Sequence, residues 1–388
     1  MRGTGTQAIA NAIQDSGVHV ITHVPGFGGT EVFAELCKIS SDAYSNSFNE
    51  EVAYSISHGA SLVGQRSATL MKAHGFAKAA NSTIDSLSAG TTAGFVSLVF
   101  NDIHGKHSDS IFDIAEFLRG SGMPCRMLHG QNMYEETFKS FKWSEVLQLP
   151  VVLLVDADDL DQMETYTPLP SSKPSAGYQR DVRQHVLCPL LAEYQHQVLQ
   201  AKLKGRDWKL VRKPVLPRIP DDLPKVWHST VRLYAPLLTV FKRMRGEVVT
   251  GDTGMSTLFA FPPFHCVDIC TYMGGSIPLA IGAFLSGYEN TWALTGDFSF
   301  IAAGHLGLME AIQRGISLKV LIFSNGKAQA TGGQFIQAGI LEHILKGYES
   351  YLRHIDNPQD TNEVESVLEE ANKAKEMRIV IADYLDVE

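Results

Sequence analysis

The stretch Gly296-Asp297-Phe298-Ser299-Phe300, followed by Asn325-Gly326-Lys327 at the end of Leu318-Lys319-Val320-Leu321-Ile322-Phe323, decides how this 388-residue chain reads. An apolar run, Thr291-Trp292-Ala293-Leu294-Thr295, ends in Gly-Asp; a helix-like segment follows, and a second apolar run ends in Asn. Asp297 and Asn325 lie 28 positions apart, the size of a strand–helix–strand crossover. Both therefore fall at strand C-terminal ends, where open α/β sheets bind ligands. One carboxylate and one amide oxygen form a hard-oxygen pair suited to Mg²⁺ carrying a phosphorylated cofactor. Each residue taken alone also reads as a helix cap.

The same alternation extends on both sides. Val18-His19-Val20-Ile21-Thr22 reads as a strand running into the turn Pro25-Gly26-Phe27-Gly28-Gly29, with Thr30 capping a helix. Ser67 to Met71, Phe95 to Phe100 and Val151 to Val155 are continuous apolar runs, the pattern of parallel strands covered on both faces. From Tyr166 to about Val226 the texture changes: seven prolines, from Pro168 to Pro224, flank a helical stretch expected over Asp181 to Lys204. Strand signals then resume at Glu247 to Asp252, Thr291 to Asp297, Leu318 to Phe323 and Arg378 to Asp383. The expected fold is α/β: two doubly wound parallel-sheet domains, 1–165 and 227–388, joined by a Pro-rich linker with a helix over 166–226.

Composition narrows the class. The chain is 44% hydrophobic, enough for two cores, and its net charge of -9 without a basic run argues against nucleic acid as a partner. Cys37, Cys125, Cys188, Cys266 and Cys270 contain no Cys-x-x-Cys pair, so they read as free thiols of a reducing compartment. The first residues lack the apolar core of a signal peptide, and no run reaches the ~18 apolar residues of a membrane helix. The expectation is a cytoplasmic protein that does not engage a membrane.

Together with Thr331-Gly332-Gly333-Gln334 just downstream, Asp297 and Asn325 resemble the signature of thiamine diphosphate enzymes. That chemistry asks three things of a protein: the diphosphate held through a divalent cation, the cofactor bent into a V, and a carboxylate on the pyrimidine ring that lets its amino group take a proton. Asp297 and Asn325 answer the first, and the resemblance implies the carbonyl of Lys327 as a further metal ligand. Glu50, in Phe48-Asn49-Glu50-Glu51-Val52-Ala53, answers the third. Asn49 is a plausible N-cap, and Glu50 in the first turn also suits the helix dipole. Glu51 competes on chemistry alone, while the resemblance favours Glu50, the residue directly after Asn. Met273 in Thr271-Tyr272-Met273-Gly274-Gly275 reads either as the wedge beneath the bent cofactor or as a core methionine. Gly274 and Gly275 would let backbone approach the cofactor. The resemblance further implies cofactor contacts from Thr253, Gly254, Gly296, Phe298, Ser299 and Thr331.

The ordered set Asn49 to Ser61, Met71-Lys72-Ala73-His74-Gly75, Asp102-Ile103-His104-Gly105-Lys106-His107-Ser108, Gly251-Asp252-Thr253-Gly254, Met273 to Ser276 and Asn325 to Gln334 is similar to the large subunit of indolepyruvate ferredoxin oxidoreductase. The phosphonopyruvate and sulfopyruvate decarboxylases are similar as well. The resemblance, from about Val24 to Gln334, implies a pyrimidine-binding domain followed by a diphosphate-binding domain. It also implies a homodimer or homotetramer whose active sites lie at the subunit interface, with Glu50 of one chain facing Asp297 of another. Two departures follow: the sequence ends at Glu388 without a cysteine-rich ferredoxin domain, and Leu223 to His228 stands where a Cys-Pro-x-Cys element is expected. Without iron–sulfur ligands the chain cannot supply one-electron carriers by itself.

On the substrate side, Lys72, His74, His104 and His107 follow strand ends of the first domain. A 2-oxo acid presents a carboxylate that Lys or His⁺ can pair with, and a histidine can shuttle protons. His104 and His107 read equally as loop histidines bonded to backbone. The expected function is Mg²⁺- and thiamine diphosphate-dependent, non-oxidative decarboxylation of a small 2-oxo acid to an aldehyde. The alternatives are a carboligase and one subunit of a 2-oxo acid ferredoxin oxidoreductase with its clusters on a redox partner.

Overall fold

Two separate parallel sheets arise from the two sets of apolar runs, one in each of two compact units. The structure is a computed structural model and describes residues 1–40, 45–128, 130, 132–170, 174 and 177–385. The first unit comprises 1–179 and 197–210, the second 180–196 and 211–388. The stretch expected as a linker, 166–226, is thus shared between the units, and its residues 171–173 and 175–176 lie outside the described residues.

The first unit opens with β1 (Arg2–Thr4), which pairs antiparallel with β7 (Met163–Thr165). Its main sheet contains β2 (Val20–His23), β3 (Ser67–Lys72), β4 (Phe95–Asn101), β5 (Cys125–Leu128) and β6 (Val151–Asp156), parallel throughout in the order β2-β3-β4-β6-β5. Successive side chains of a strand face opposite sides, and here both sides are apolar. Leu70, Leu98 and Leu153 point to a core with α1 (Gly5–Asp15), α2 (Gly29–Ile39) and α7 (Met133–Leu147). Their neighbours Met71, Val99 and Leu154 point to another, with α3 (Glu50–Leu62), α4 (Ala73–Lys78), α5 (Ala80–Ala89) and α6 (Ile114–Ser121). This two-sided burial is why the strands read as continuous apolar runs.

The cap of α2 differs from expectation. Gly28, not Thr30, is the N-cap: its φ is +84° and its N–H donates to Glu31 Oε2 at 2.6 Å. Thr30 lies inside the first turn and accepts from Gly26 N at 3.0 Å. Gly28 faces Phe100 so closely that a Cβ would sit 2.7 Å from that ring, so both conformation and packing demand glycine.

The helix expected over Asp181 to Lys204 is two helices, α8 (Val182–His185) and α9 (Ala192–Leu203). Between them Val186 forms a parallel bridge with Cys270, and Leu187 N donates to Cys270 O at 2.8 Å. Pro189 then cannot donate to a helical ladder. A long-range strand contact overrides local helix propensity.

In the second unit, α10 (His228–Met244) precedes β8 (Val248–Gly251), β9 (Ile269–Cys270), α11 (Ser276–Leu285), β10 (Thr291–Gly296), α12 (Asp297–Ser299), α13 (His305–Gln313) and β11 (Lys319–Ser324). A small antiparallel pair, β12 (Lys327–Ala328) and β13 (Gln334–Phe335), leads to α14 (Ile340–Ile344), β14 (Leu352–Ile355), α15 (Thr361–Lys373) and β15 (Arg378–Asp383). The six-stranded sheet runs β14-β15-β11-β10-β8-β9. The chain passes outward from β8 to β9, then returns to the other side of β8 with β10. The C-terminal ends of β8 and β10 therefore flank a topological switch point, the place where such sheets bind ligands. Among the described residues no helix is long and apolar enough to cross a membrane.

Candidate active site

Three strand ends build one cleft in the second unit. β10 delivers Gly296-Asp297, β11 delivers Asn325 with Lys327 beyond it, and β8 delivers Asp252-Thr253-Gly254. Asp297 begins α12 and is buried. Its Oδ1 accepts from Phe298 N at 2.7 Å, and its Oδ2 from Asn325 N at 2.8 Å and Gly326 N at 2.6 Å. One carboxylate thus locks the two strand ends into register. Asn325 is oriented in turn: its Nδ2 donates to the Tyr234 hydroxyl at 2.8 Å, while its Oδ1 accepts from Lys327 N at 3.1 Å.

Burial pushes the Asp297 carboxyl above its ordinary value, against the opposing pull of the backbone N–H bonds. Among the described residues no Lys or Arg pairs with it. A buried carboxylate without a counter-charge is costly and calls for a cation. The oxygen donors at hand are the carboxylate, the Asn325 amide oxygen and the Lys327 carbonyl, a hard set that suits Mg²⁺ sharing its sphere with a phosphate. Groups of three or more His, Cys, Asp or Glu that could hold a metal are absent among the described residues.

The cleft is open to solvent on one side and has a cavity volume of about 130 Å³. Thr253, Gly254, Met273, Gly296, Asp297, Phe298, Ser299, Asn325, Lys327 and Thr331, all singled out from sequence, line it together. A Cβ added at Gly254 or Gly296 would meet nothing within 4 Å, so glycine leaves the backbone open to a ligand there. Gly274 stands behind the lining: at φ +88°, a Cβ would lie 2.5 Å from Ala303 Cβ. Sequence reasoning did not single out Tyr234, which inside α10 looks like any core aromatic, nor Asp252 as a site residue.

Asp252 is fully buried at the base of the cleft. It accepts from Ser276 N at 2.9 Å and from the Thr295 hydroxyl, tying the start of α11 to β10. Burial pushes its carboxyl up to about 6, from 3.8. The folded state therefore binds this proton more tightly than the unfolded chain. The resulting stability is present at acid pH below the unfolded value and is lost as pH rises through about 6. The loss amounts to about 3 kcal/mol. Asp252→Asn should flatten this slope, read as a smaller fall in Tm between about pH 4 and 7 than in the wild type.

In the first unit, Glu50 opens α3 beneath an Asn49 cap that accepts from Glu51 N and Val52 N. Glu50 Oε2 receives Lys78 Nζ at 2.6 Å, and a Cβ on Gly75 would lie 2.8 Å from Glu50 Cγ. Glu51 turns elsewhere: its Oε1 accepts from Ser82 N at 3.3 Å, and burial pushes its carboxyl up. His74 Nε2 lies 3.0 Å from Ser110 Oγ. His104 is exposed, 3.8 Å from Asp158. The ring of His107 leans on Phe27 with centroids 4.0 Å apart. These histidines follow β3 and β4 at the C-terminal edge of the sheet.

Residues 250–381 match the family model for the thiamine pyrophosphate enzyme C-terminal TPP binding domain, which covers the whole cleft from β8 to β15 except Tyr234. The wider resemblance to thiamine diphosphate-dependent 2-oxo acid enzymes is borne out alongside it. Over 207 residues the chain is 30% identical to indolepyruvate oxidoreductase subunit IorA of Methanothermobacter thermautotrophicus, covering 52% of this chain and 33% of that protein. The subunit of the same name from Methanothermobacter marburgensis is 31% identical over 153 residues, 38% of this chain and 25% of that one. The chain thus matches a third or less of the length of these relatives. The thiamine diphosphate-dependent 4-hydroxybenzoylformate decarboxylase of Rhodococcus jostii superposes with a TM-score of 0.67 at 13% identity, covering 98% of both chains. Benzoylformate decarboxylase of Polynucleobacter necessarius does so with a TM-score of 0.65 at 11% identity, covering 99% of both. At these identities the likeness establishes the two-domain α/β fold.

Proposed function

We propose that the chain is a Mg²⁺- and thiamine diphosphate-dependent enzyme that decarboxylates a 2-oxo acid without oxidation, yielding CO₂ and an aldehyde. The observation that carries this reading is the buried, uncompensated Asp297 carboxylate set beside Asn325 and Lys327 at a sheet switch point. These three residues hold the metal and, through it, the diphosphate. Met273 and the open backbone at Gly254 and Gly296 shape the cleft for the remainder. Glu50 holds a proton at the pyrimidine ring. When bound, thiamine diphosphate supplies the electron sink that lets the carboxylate leave as CO₂. One proton taken up at the former carboxyl-bearing carbon balances the product, and the histidines after β3 and β4 are the candidate donors. In this reading the chain works as a homodimer or homotetramer, each Glu50 serving the diphosphate unit of a neighbouring chain.

Decarboxylation is favoured by the full-length structural likeness to two decarboxylases of arylated 2-oxo acids. The sequence likeness to IorA supports a second reading, a subunit of a 2-oxo acid oxidoreductase. Purified protein with Mg²⁺, thiamine diphosphate and a panel of aliphatic and aryl 2-oxo acids should release CO₂ and the matching aldehyde with no electron acceptor present. Release that depends on an added acceptor and iron–sulfur protein would move the assignment to the oxidoreductase. Carbon–carbon coupled products would move it to a carboligase, and no release under any condition would overturn decarboxylation.

A further inference from the structure

We propose that Lys72 is the anchor for the substrate's carboxylate, an inference that rests on the 2-oxo acid reading above. Lys72 ends β3, so its side chain leaves the sheet at the C-terminal edge. It is half-buried, and its ammonium has one hydrogen-bond acceptor among the described residues, the His107 carbonyl at 3.3 Å. No carboxylate pairs with it there, in contrast to its basic neighbours: Lys78 is taken by Glu50 at 2.6 Å and Lys106 by Asp158 at 2.9 Å.

Asp102, at the head of the loop that carries His107, is also spoken for. Asp102 accepts from Lys106 N at 3.0 Å with one oxygen, and from His107 N and Ser108 Oγ, both at 2.8 Å, with the other. Its charge shapes the 102–108 loop and leaves the Lys72 ammonium uncompensated. The three histidines are engaged as well, with Ser110, Asp158 and the Phe27 ring. Of the three lysines described at this edge, Lys72 is thus the one whose recorded partner is a backbone carbonyl rather than a carboxylate, and its ammonium carries three donors.

Its stem is held in place. A Cβ on Gly26 would lie 2.6 Å from Lys72 Cγ and 2.9 Å from Cδ, so the stem runs directly against the glycine backbone of the turn after β2. The stem thus rests on the Gly26 backbone, and its ammonium is the positive pole at this edge. A carboxylate is the group of a 2-oxo acid that such a pole recognises, by a charge-assisted hydrogen bond.

The test has two arms, run on the full chain loaded with Mg²⁺ and thiamine diphosphate. In turnover, Lys72→Met should raise KM for the 2-oxo acid about 10- to 100-fold, Lys72→Arg should recover part of that, and Gly26→Ala, which displaces the stem, should follow Lys72→Met in direction. In equilibrium binding, oxamate titrated into the protein should lose affinity by the same factor in Lys72→Met, while thiamine diphosphate affinity stays within about 2-fold. Oxamate binding that depends on Lys72 in a protein that turns over no 2-oxo acid upholds the anchor and overturns the reaction. An unchanged KM and unchanged oxamate affinity in a folded Lys72→Met protein overturns the anchor and leaves the reaction standing. A wild type that binds no oxamate overturns the anchor too.

Discussion

Asp297→Asn will bind thiamine diphosphate at least about 100-fold more weakly than the wild type in the presence of Mg²⁺. The expectation follows from what the carboxylate does twice. It holds Asn325, Gly326 and Phe298 by their backbone N–H groups, and it carries the negative charge that a metal would neutralise. An amide keeps one acceptor oxygen and turns an NH₂ group toward N–H donors, so the variant also loses about 1–3 kcal/mol of stability. The two effects separate cleanly in a thermal melt. For wild type, Mg²⁺ plus cofactor at about 100 times Kd adds about 2.7 kcal/mol and raises Tm. The variant should start from a lower Tm and show no rise, and wild type without Mg²⁺ should show none either. A variant whose Tm climbs with cofactor as far as that of wild type would sink the metal assignment.

The strands were legible in the sequence because both faces of each sheet are covered. Leu98 and Val99 serve opposite cores, so β4 is apolar at every position that matters. β5 escaped notice for the converse reason: Arg126 and Met127 at the sheet edge are exposed, and an edge strand carries no continuous apolar signal. β9 and β14 are short, and β9 is completed by Val186 from far away in sequence. The same contact breaks the helix expected after Asp181, an outcome no local pattern holds. At the site, Asp297 and Asn325 were legible through their spacing, since strand ends repeat at crossover distances. Tyr234 was not, because its role is to orient the Asn325 amide from 91 positions away. The choice between Glu50 and Glu51 was open chemically, as both lie in the first turn of α3. Only side-chain direction separates them, toward Lys78 and Gly75 for the one and toward Ser82 for the other.

Glu50→Gln should lower kcat by about 10²- to 10⁴-fold, the usual worth of a positioned proton-transfer group, while leaving cofactor affinity within a few-fold. Glutamine keeps the length and shape of the side chain, so the packing over Gly75 survives and the variant should fold normally. What it cannot do is exchange a proton at the pyrimidine ring. The partner of Glu50 makes the comparison sharper. Lys78 Nζ sits 2.6 Å from Oε2 and competes with the ring for the same oxygen, though at 56% exposure the ammonium is well solvated and the pair weak. Lys78→Met should therefore leave kcat near wild type, or raise it modestly by freeing Glu50. Gly75→Ala should resemble Glu50→Gln in kcat, because its Cβ would press on Glu50 Cγ and push the carboxylate off line. Glu51→Gln should act on stability instead, through the bond from Ser82 N. Steady-state turnover of the four variants, with cofactor affinity measured on each, decides the matter. If Glu50→Gln turns over at the wild-type rate while Glu51→Gln does not, the catalytic carboxylate is Glu51. If both are fully active, α3 does not supply it.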